Sequence, residues 1–456
     1  MKMNSDSLVP SRQLLHRALS LGSLALSLAL LTSCSSGSSS SSSGGTPTPT
    51  PIAGGNFTTT VFLGDSLTAG YQSASLLDTA EVHAWAPLVA TQAGFAITQA
   101  LIAPPGAPST LQLKSLSPLT IVTASGTTTG RDNPSTQVTD LAVPGALLND
   151  LMNTVPVASP TTGQQQITQL VLGFPGLGLG QAYSQATFAV KANPTTIFLW
   201  AGNNDALDAD ISGMPASMTS VSDFTTQYTA LITELTTKTT AHLVIANIPD
   251  VTLVPYLQPA ATILAEYSAA TGYPIATLSG LFGISAGDFV NPEGLGEIAA
   301  IVAGSQTTPV SDAGVLTAAE AVIVQQRVTD FNTVIAAQAK TAGATLVDIH
   351  TLFAELAANG LTVSGYTGTS AFLGGFFSLD GIHPTNTGYA VVANAFIDAM
   401  NAGFGSKIAD VNIATVAASD PLWPPNLGAT VAASARLPAA AALPIARVLG
   451  HLPSIP

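Results

Sequence analysis

The sequence "VFLGDSLTAGYQS" (residues 61–73) sets an apolar run directly before a glycine, an acid and a serine. The apolar, β-branched run from Thr58 to Gly64 predicts a buried β-strand. Ser66 follows this strand almost at once. A serine at that position either caps the next helix or is a nucleophile held at the end of a strand. The residues at the ends of the other predicted strands help to decide between these two roles.

Four further apolar runs share the character of the first and predict strands of the same kind. They are continuous rather than alternating, which is typical of strands covered on both faces. The runs are "TQVTDLAV" (136–143), "TTIFLWAG" (195–202), "AHLVIANI" (241–248) and "ATLVDIH" (344–350).

Helical segments separate some of these runs, and the clearest helix is predicted over 317–341. Thr317 and Glu320 have the spacing of a capping box, apolar residues recur every three or four positions, and Gly343 ends the pattern. Strands that alternate with helices predict an α/β fold with a largely parallel sheet. Residues 260–316 fit this alternation poorly and are predicted to be an insertion, whose low charge suggests the hypothesis of an apolar cover over the site.

The ends of the predicted strands carry the residues that point to chemistry. In an open parallel sheet, ligands bind outside the carboxyl ends of the strands. Polar or turn-forming residues follow all five runs: "GDS" (64–66), "VPGA" (143–146), "GNND" (202–205), "NIPD" (247–250) and "DIH" (348–350).

Three of these residues could supply N–H donors to one point. Ser66 and Gly145 offer backbone N–H groups, and glycine lets a ligand approach its backbone closely. Asn204 offers a side-chain amide. Each residue alone is a common turn residue, but three convergent donors can hold the oxyanion of an acyl-transfer intermediate.

A serine nucleophile needs a base, and two histidines lie close in sequence to an acid. His383 follows Asp380 by three residues, and Pro384 places it in a loop before a helix; His350 follows Asp348 by two residues at the end of a predicted strand. The i, i+3 spacing in a loop lets the acid reach the imidazole, whereas the i, i+2 spacing on a strand sets the two side chains side by side. We therefore predict His383 as the base and His350 as a structural residue bonded to backbone.

The sequence "GISAG" (283–287) also matches the G-x-S-x-G pattern of a nucleophile elbow. That motif requires a strand before it and a helix after it. The residues that follow include Pro292 and two glycines, which disfavour this interpretation.

The blocks "GDSLTAGY", "AVPGA", "GNND" and "DGIHP" occur in one order along the chain and resemble those of the GDSL, or SGNH, esterase and lipase family, in its bacterial lipoprotein form. The resemblance covers a domain at about 56–406. It implies a three-layer α/β/α, flavodoxin-like fold with a mostly parallel, five-stranded sheet. It also implies a serine ester hydrolase that works through an acyl-enzyme without a metal or other cofactor, on a lipid or small acyl ester.

Residue by residue, the resemblance implies that Ser66 is the nucleophile and that Asp380 and His383 complete its triad. It implies an oxyanion hole made by Ser66, Gly145 and Asn204. The alternative from another class is a surface-exposed binding lipoprotein that keeps this fold and has lost activity.

The N-terminus has the pattern of an export signal over residues 1–33. Basic residues precede the apolar run "ALSLGSLALSLALL" (18–31), which is too short and too serine-rich for a membrane span. The following "LTSC" (31–34) resembles a lipobox and predicts lipidation at Cys34, so we expect an exported protein anchored to a bacterial membrane in the cell envelope, the outer membrane or the cell surface included. Residues 34–55, rich in Ser, Gly, Thr and Pro, predict a flexible tether.

Composition excludes several other classes of protein. Charged residues make up only 8% of the chain, the formal net charge is −14, and Cys34 is the only cysteine. The lack of a basic cluster argues against a nucleic-acid partner, and one cysteine cannot form an internal disulfide or a cysteine metal site. Residues 407–456 are predicted to be an Ala- and Pro-rich tail, lying outside the core from residue 421 onward.

Overall fold

The computed structural model of this protein describes residues 54–428 and 435–437. The predicted export signal, Cys34 and nearly all of the tether lie outside the described residues, as does most of the tail, so those expectations stay predictions. Within the part of the chain that the structure describes, no helix combines the length and the hydropathy that a membrane crossing requires.

Strands and helices alternate along the described chain and are numbered here in chain order. The strands are β1 (Thr60–Gly64), β2 (Leu111–Leu116), β3 (Leu119–Thr123), β4 (Thr196–Trp200), β5 (His242–Ala246), β6 (Gln258–Pro259), β7 (Phe289–Val290), β8 (Val315–Leu316), β9 (Thr345–Val347), β10 (Leu361–Val363) and β11 (Tyr366–Gly368). The α-helices are α1 (Ser66–Ala69), α2 (Asp78–Glu81), α3 (Trp85–Ala93), α4 (Asp150–Asn153), α5 (Gly163–Leu172), α6 (Gln185–Ala192), α7 (Asn203–Ser212), α8 (Val221–Lys238), α9 (Ala260–Thr271), α10 (Ile275–Phe282), α11 (Pro292–Val302), α12 (Ala318–Ala342), α13 (Ile349–Asn359), α14 (Asn386–Phe404) and α15 (Ile413–Ser419).

The central sheet is parallel and has the strand order β1-β4-β5-β9. The α/β class and the parallel sheet are confirmed, but the expected five strands are corrected to four. The run 136–143 touches the outer edge of β1 through a single bridge between Asp140 and Phe62. Only Phe62 N–H to Thr139 O (2.9 Å), Leu141 N–H to Phe62 O (2.8 Å) and Val143 N–H to Gly64 O (3.2 Å) join it to β1.

The backbone of this run is not regular enough to continue as a strand. The N–H groups of Thr139 and Asp140 both donate to Thr98 O, at 2.9 and 3.1 Å, whereas successive N–H groups of a regular strand point in opposite directions. With this run counted in second place, the spatial order follows the flavodoxin-like pattern 2-1-3-4-5. The order reverses between β1 and β4, which is where such a sheet opens a crevice for ligands.

Helices cover both faces of the sheet. One group consists of α3 and α14, and the other of α6, α8 and α12, in contact with β1 and β5. Trp85 of α3 stacks on Phe396 of α14 with ring centroids 3.7 Å apart. Phe224 of α8 stacks on Phe331 of α12 at 3.8 Å. Each ring buries a large apolar area, and the stacked arrangement of the rings adds to the stabilisation of the fold.

The predicted helix over 317–341 is confirmed as α12, with its capping box. The N–H of Thr317 donates to Glu320 Oε2 at 2.9 Å, and the N–H of Glu320 donates to Thr317 Oγ1 at 3.3 Å. Gly343 ends the helix in the left-handed conformation that favours glycine.

Residues 260–316 form α9, α10 and α11 and the strands β7 and β8, which join β6 just before them in a small antiparallel sheet. Their buried side chains make a hydrophobic cluster of their own, separate from the main core. The Asn291 amide donates to Ile211 O at 3.2 Å, so this region contacts α7 near its C-terminal end. Asn204 lies at the opposite end of α7, and the idea of an apolar cover stays a hypothesis.

The chain after α14 returns to the core instead of leaving it. Leu422 and Trp423 are buried, and the Trp423 ring meets that of Phe376 at 5.9 Å. Asp420 accepts both the N–H and the hydroxyl of Thr387. The expectation that residues from 421 onward lie outside the core therefore fails for 422–424 and for Leu437, which are buried. An indole as large as that of Trp423 is stabilised by burial against the main domain.

Candidate active site

Ser66 lies at the carboxyl end of β1, where α1 begins. Asp65 is the cap of this helix, since its Oδ1 accepts the N–H of Leu67 at 3.0 Å. The Ser66 hydroxyl is not the capping group, and it lies 2.8 Å from Nε2 of His383. The choice between cap and site residue is thus resolved in the local geometry, because the neighbouring acid supplies the cap.

His383 lies in the loop just before α14, as its sequence context predicts. Its Nδ1 lies 2.9 Å from Asp380 Oδ2, and its Nε2 faces Ser66 Oγ. The Tyr71 ring packs beside the imidazole with centroids 4.7 Å apart. The loop is closed on itself by Ser378 N–H donating to His383 O at 2.8 Å, so the ring is held by contacts on three sides.

The carboxylate of Asp380 is fully buried and accepts four hydrogen bonds. Oδ1 accepts the N–H groups of Ile382 and His383, both at 2.9 Å. Oδ2 accepts the N–H of Ala74 at 2.7 Å and faces the His383 ring. Burial alone would raise the pKa of Asp380, but His383 and the backbone donors outweigh it and hold the pKa below its usual value.

A turn over 72–75 brings the Ala74 N–H to Asp380, and sequence reasoning missed it. Gln72 and Ser75 exchange backbone hydrogen bonds at 3.0 and 3.1 Å. Ser73 (φ 51°) and Ala74 (φ 60°) occupy the left-handed region, as both central residues of a type I′ turn must. The sequence "QSAS" contains none of the Asn or Gly residues that are typical of this turn, so the turn could not be predicted from the sequence.

Contacts with the His383 loop hold this turn in its strained conformation. The Ser73 N–H donates to Ser378 Oγ at 2.8 Å, and Tyr71 Oη donates to Ala74 O at 2.7 Å. A non-glycine residue in the left-handed region costs about 1 kcal/mol or more. The surrounding hydrogen bonds offset that cost, and the turn serves as a fixed donor for the buried acid.

Gly145 lies in a tight turn beside the end of β1. It follows Pro144 with φ of 77°, the position that a type II turn favours for glycine, and Ala146 N–H closes the turn on Val143 O at 3.1 Å. Pro144 O accepts the Gln164 amide at 3.0 Å. Because the C=O and N–H of a trans peptide point in opposite directions, the Gly145 N–H points away from Gln164.

Asn204 lies in the first helical turn of α7 and is hydrogen-bonded to the tight turn that contains Gly145. Its Nδ2 donates to Ala146 O at 2.9 Å, and the adjacent Asp205 accepts the N–H of Leu148 at 2.8 Å. Among the described residues, neither the Ser66 N–H nor the Gly145 N–H donates a hydrogen bond, and one N–H of the Asn204 amide is left over. The three predicted donors therefore flank the end of β1 with unused N–H groups.

Two more polar groups hold the strand end and were not found from the sequence. The Gln185 amide both donates to Gly64 O and accepts from Gly64 N–H, each at 2.9 Å. Asn203 donates to Asp65 Oδ2 at 2.8 Å. Burial raises the pKa of Asp65 to about 6, against the opposing effect of the Asn203 and Leu67 hydrogen bonds. The first asparagine of "GNND" was a usable signal for this contact, whereas Gln185 lies in a segment without any motif.

The second histidine–acid pair, Asp348 and His350, contributes to local structure. His350 lies in the first turn of α13, not on a strand, and its Nδ1 lies 3.2 Å from Ile248 O. Asp348 caps α13 by accepting the N–H of Thr351 at 3.1 Å, and it also accepts the Asn247 amide at 2.8 Å. Both side chains are thus engaged in local structure.

Ser285 of the G-x-S-x-G match lies in a different context from a nucleophile elbow. It is exposed, follows helix α10 and precedes the short strand β7. Its N–H donates to Asp288 Oδ2 at 2.7 Å. The order helix–turn–strand is the reverse of what the motif requires.

No set of three His, Cys, Asp or Glu side chains in the described ranges is arranged to hold a metal ion. The polar groups at the end of β1 instead combine a hydroxyl, an imidazole, a carboxylate and free N–H donors. This set of groups is suited to acyl transfer.

Comparison with known proteins places the chain in a family. A family model described as GDSL-like lipase/acylhydrolase matches residues 60–396. No curated protein matches the chain. Among solved structures, an alpha/beta hydrolase enzyme, LAE5, from the metagenome of Lake Arreo, Spain, is 12% identical, with a TM-score of 0.34 over 76% of this chain and 96% of that one.

A second solved structure is a catalytic mutant of Axe2, an acetylxylan esterase from Geobacillus stearothermophilus. It is 10% identical, with a TM-score of 0.35 over 77% of this chain and 96% of that one. At this level of similarity, neither structure indicates a substrate for this chain. The family match, which spans most of the chain and every segment of the site described above, identifies the protein as a member of the GDSL-like lipase/acylhydrolase family, and hence as an enzyme that hydrolyses esters.

Proposed function

We propose that the protein hydrolyses its ester substrate through an acyl-enzyme on Ser66, with His383 as general base and Asp380 as the acid that orients it. The observation that carries this proposal is the continuous line of hydrogen bonds from Ser66 Oγ through the imidazole to the buried carboxylate. A serine hydroxyl becomes nucleophilic when an adjacent base accepts its proton.

In the first step, Ser66 Oγ bonds to the ester carbonyl carbon while its proton moves to His383 Nε2. The carbonyl oxygen takes the electron pair of the broken π bond and becomes an oxyanion. As the intermediate collapses, the bond to the alcohol oxygen breaks, and His383 gives its proton to that leaving group. Water then attacks the acyl-serine by the same steps, which releases the carboxylic acid and restores the Ser66 hydroxyl.

Asp380 stays ionised throughout this cycle. Its low pKa and its Oδ2 contact fix the tautomer of His383 with the proton on Nδ1 and stabilise the imidazolium that forms. The oxyanion is held by the free N–H groups of Ser66 and Gly145 and by the Asn204 amide, since preorganised donors at the developing charge lower the barrier.

The substrate is proposed to be a lipid or small acyl ester, delivered in the cell envelope. The lipobox-like sequence before Cys34 supports an exported protein anchored to a bacterial membrane through a lipid on that residue. The rival proposal is an inactive binding lipoprotein. The intact line of hydrogen bonds favours the enzyme, because a binding role places no demand on the alignment of Ser66 with His383.

Ser66→Ala and His383→Ala should each lower kcat by about 10⁴- to 10⁶-fold, and the double variant should be little worse, since the two groups act as a unit. Hydrolysis of p-nitrophenyl esters and labelling by a fluorophosphonate probe measure this. The probe should label the wild type on Ser66, and it should fail to label Ser66→Ala.

The matched controls are His350→Ala and Ser285→Ala, which should keep most of the activity and of the labelling. Circular dichroism establishes that every variant is folded. A folded wild type that takes up no label would favour the binding lipoprotein, and a folded His383→Ala variant with normal turnover would contradict the choice of base.

Asn204→Ala should lower kcat by about 10²- to 10³-fold with a smaller change in KM, because an oxyanion donor acts mainly in the transition state. Steady-state kinetics on the same esters give the two constants. The control is Asn153→Ala, an exposed position on α4, which should leave both unchanged. Equal kcat values for Asn204→Ala and the wild type would remove this residue from the oxyanion hole.

Asp380→Asn should lower kcat by about 10⁴-fold, because the amide favours the wrong imidazole tautomer. The folded-state pKa of Asp380 lies below that of the unfolded chain, near 3.9. The carboxylate therefore stabilises the fold above that pH and loses this contribution as the pH falls through the folded-state pKa. Urea unfolding should show a gap between wild type and variant that shrinks below about pH 4; a gap that widens there would contradict the assignment.

Cys34→Ala should release the protein from membranes or block its processing, while the activity per folded molecule stays unchanged. Cell fractionation and mass spectrometry of the mature N-terminus measure the two effects. Ser36→Ala is the matched control and should remain anchored. A wild-type protein in the soluble fraction without acyl modification would refute the anchor and leave the catalytic proposal untouched.

A further inference from the structure

A cavity of about 880 Å³ lies beside the turn that holds Asp380. Its walls include β2 and the residues on either side of it (110–117), the chain around α2, and residues of the returning C-terminal segment 419–427. None of the residues proposed for catalysis lines it. Its volume falls within the range of roughly 300–1,000 Å³ that is typical of small-molecule sites.

Leucine is the main apolar residue of this lining. Seven of its 21 residues are leucines, and none is an aspartate or a glutamate. Lys114 supplies a positive charge, and His83 adds an imidazole. Four acids are adjacent to lining residues in sequence, and all four accept hydrogen bonds from backbone N–H groups. Asp420 accepts from Thr387, Asp78 from Thr79, Glu81 from Leu101 and Ile102, and Asp380 from the donors described above.

The lining contains both aliphatic side chains and a cation. Leu111, Leu379 and Leu422 are its buried leucines and are called the leucine floor here. Lys114 is exposed on β2, where its Nζ donates to Gln112 Oε1 at 2.7 Å. An exposed ammonium in a lining that is rich in leucine is complementary to a molecule with one anionic end and one alkyl chain.

We propose that this cavity binds a single-chain amphiphile with an anionic head group, the alkyl chain on the leucine floor and the head group at Lys114. Such an anion has two sources, a free fatty acid or an alkyl phosphate from a lipid. Binding here needs no chemistry at Ser66, so the failure of this proposal and the failure of the catalytic proposal are separate outcomes.

Isothermal titration of the full-length protein tests the site, with decanoate, decyl phosphate and decyltrimethylammonium as probes below their micelle concentrations. The Ser66→Ala variant is titrated in parallel and should bind equally. We expect saturable 1:1 binding of an anionic probe, at least about tenfold tighter than the cationic probe of equal chain length. Tighter binding of decanoate assigns the fatty acid as the source, and tighter binding of decyl phosphate assigns the lipid phosphate.

Two variants locate the binding in this cavity. Lys114→Glu should weaken the anionic probe by about fivefold, the scale of an exposed charge contact, and Leu113→Asn should weaken all three probes by removing apolar wall. Lys340→Glu, which makes the same charge change at an exposed position outside the cavity, is the control. Equal affinities for Lys114→Glu and Lys340→Glu, equal binding of the cationic and anionic probes, or no saturable binding up to about 1 mM would each overturn the proposal.

Discussion

The buried carboxylate of Asp380 is the group on which the rest of the site depends. A charge without access to water is tolerated only when hydrogen bonds replace its hydration, and this one accepts four. Its donors come from two segments that lie some 300 residues apart in sequence, the turn at Ala74 and the loop at 382–383. Solvating Asp380 therefore also fixes the chain after α1 against the chain before α14, and with it the distance between Ser66 and His383.

The sheet supplies the second constraint. Parallel pairing brings the carboxyl ends of β1 and β4 side by side, with Gly64 opposite Trp200. The segments that follow these two strands carry Ser66 and Asn204. The turn at Gly145 is joined by hydrogen bonds to Gly64, the last residue of β1, and to Asn204. Ser66 and the proposed oxyanion donors lie near one another because their segments leave the sheet at its switch point, where the strand order reverses.

The low content of charged residues determines which groups make the polar contacts in the rest of the molecule. Because only 8% of the residues are charged, the polar contacts in this fold depend mainly on amide and hydroxyl groups. Examples are the hydrogen bonds between the Gln185 amide and the backbone of Gly64 and the bond from the Ser73 N–H to the Ser378 hydroxyl. Amide and hydroxyl groups can be buried at moderate cost when paired, whereas an unpaired charge cannot.

The sequence by itself determined the α/β class, the four paired strands, α12 with its cap, and the choice of Ser66, Asp380 and His383, whose side chains meet at the end of β1. These follow from local patterns, namely continuous apolar runs, a capping box and polar residues at strand ends. Only the tertiary structure decided the rest: the loss of the strand at 136–143, the helical setting of His350, the burial of Trp423, the turn at Ser73 and Ala74, and the cavity beside it. Each of these results from competition between a local preference and partners remote in sequence, as when the His383 loop holds two residues in a conformation that their own side chains disfavour, and no local pattern records such partners.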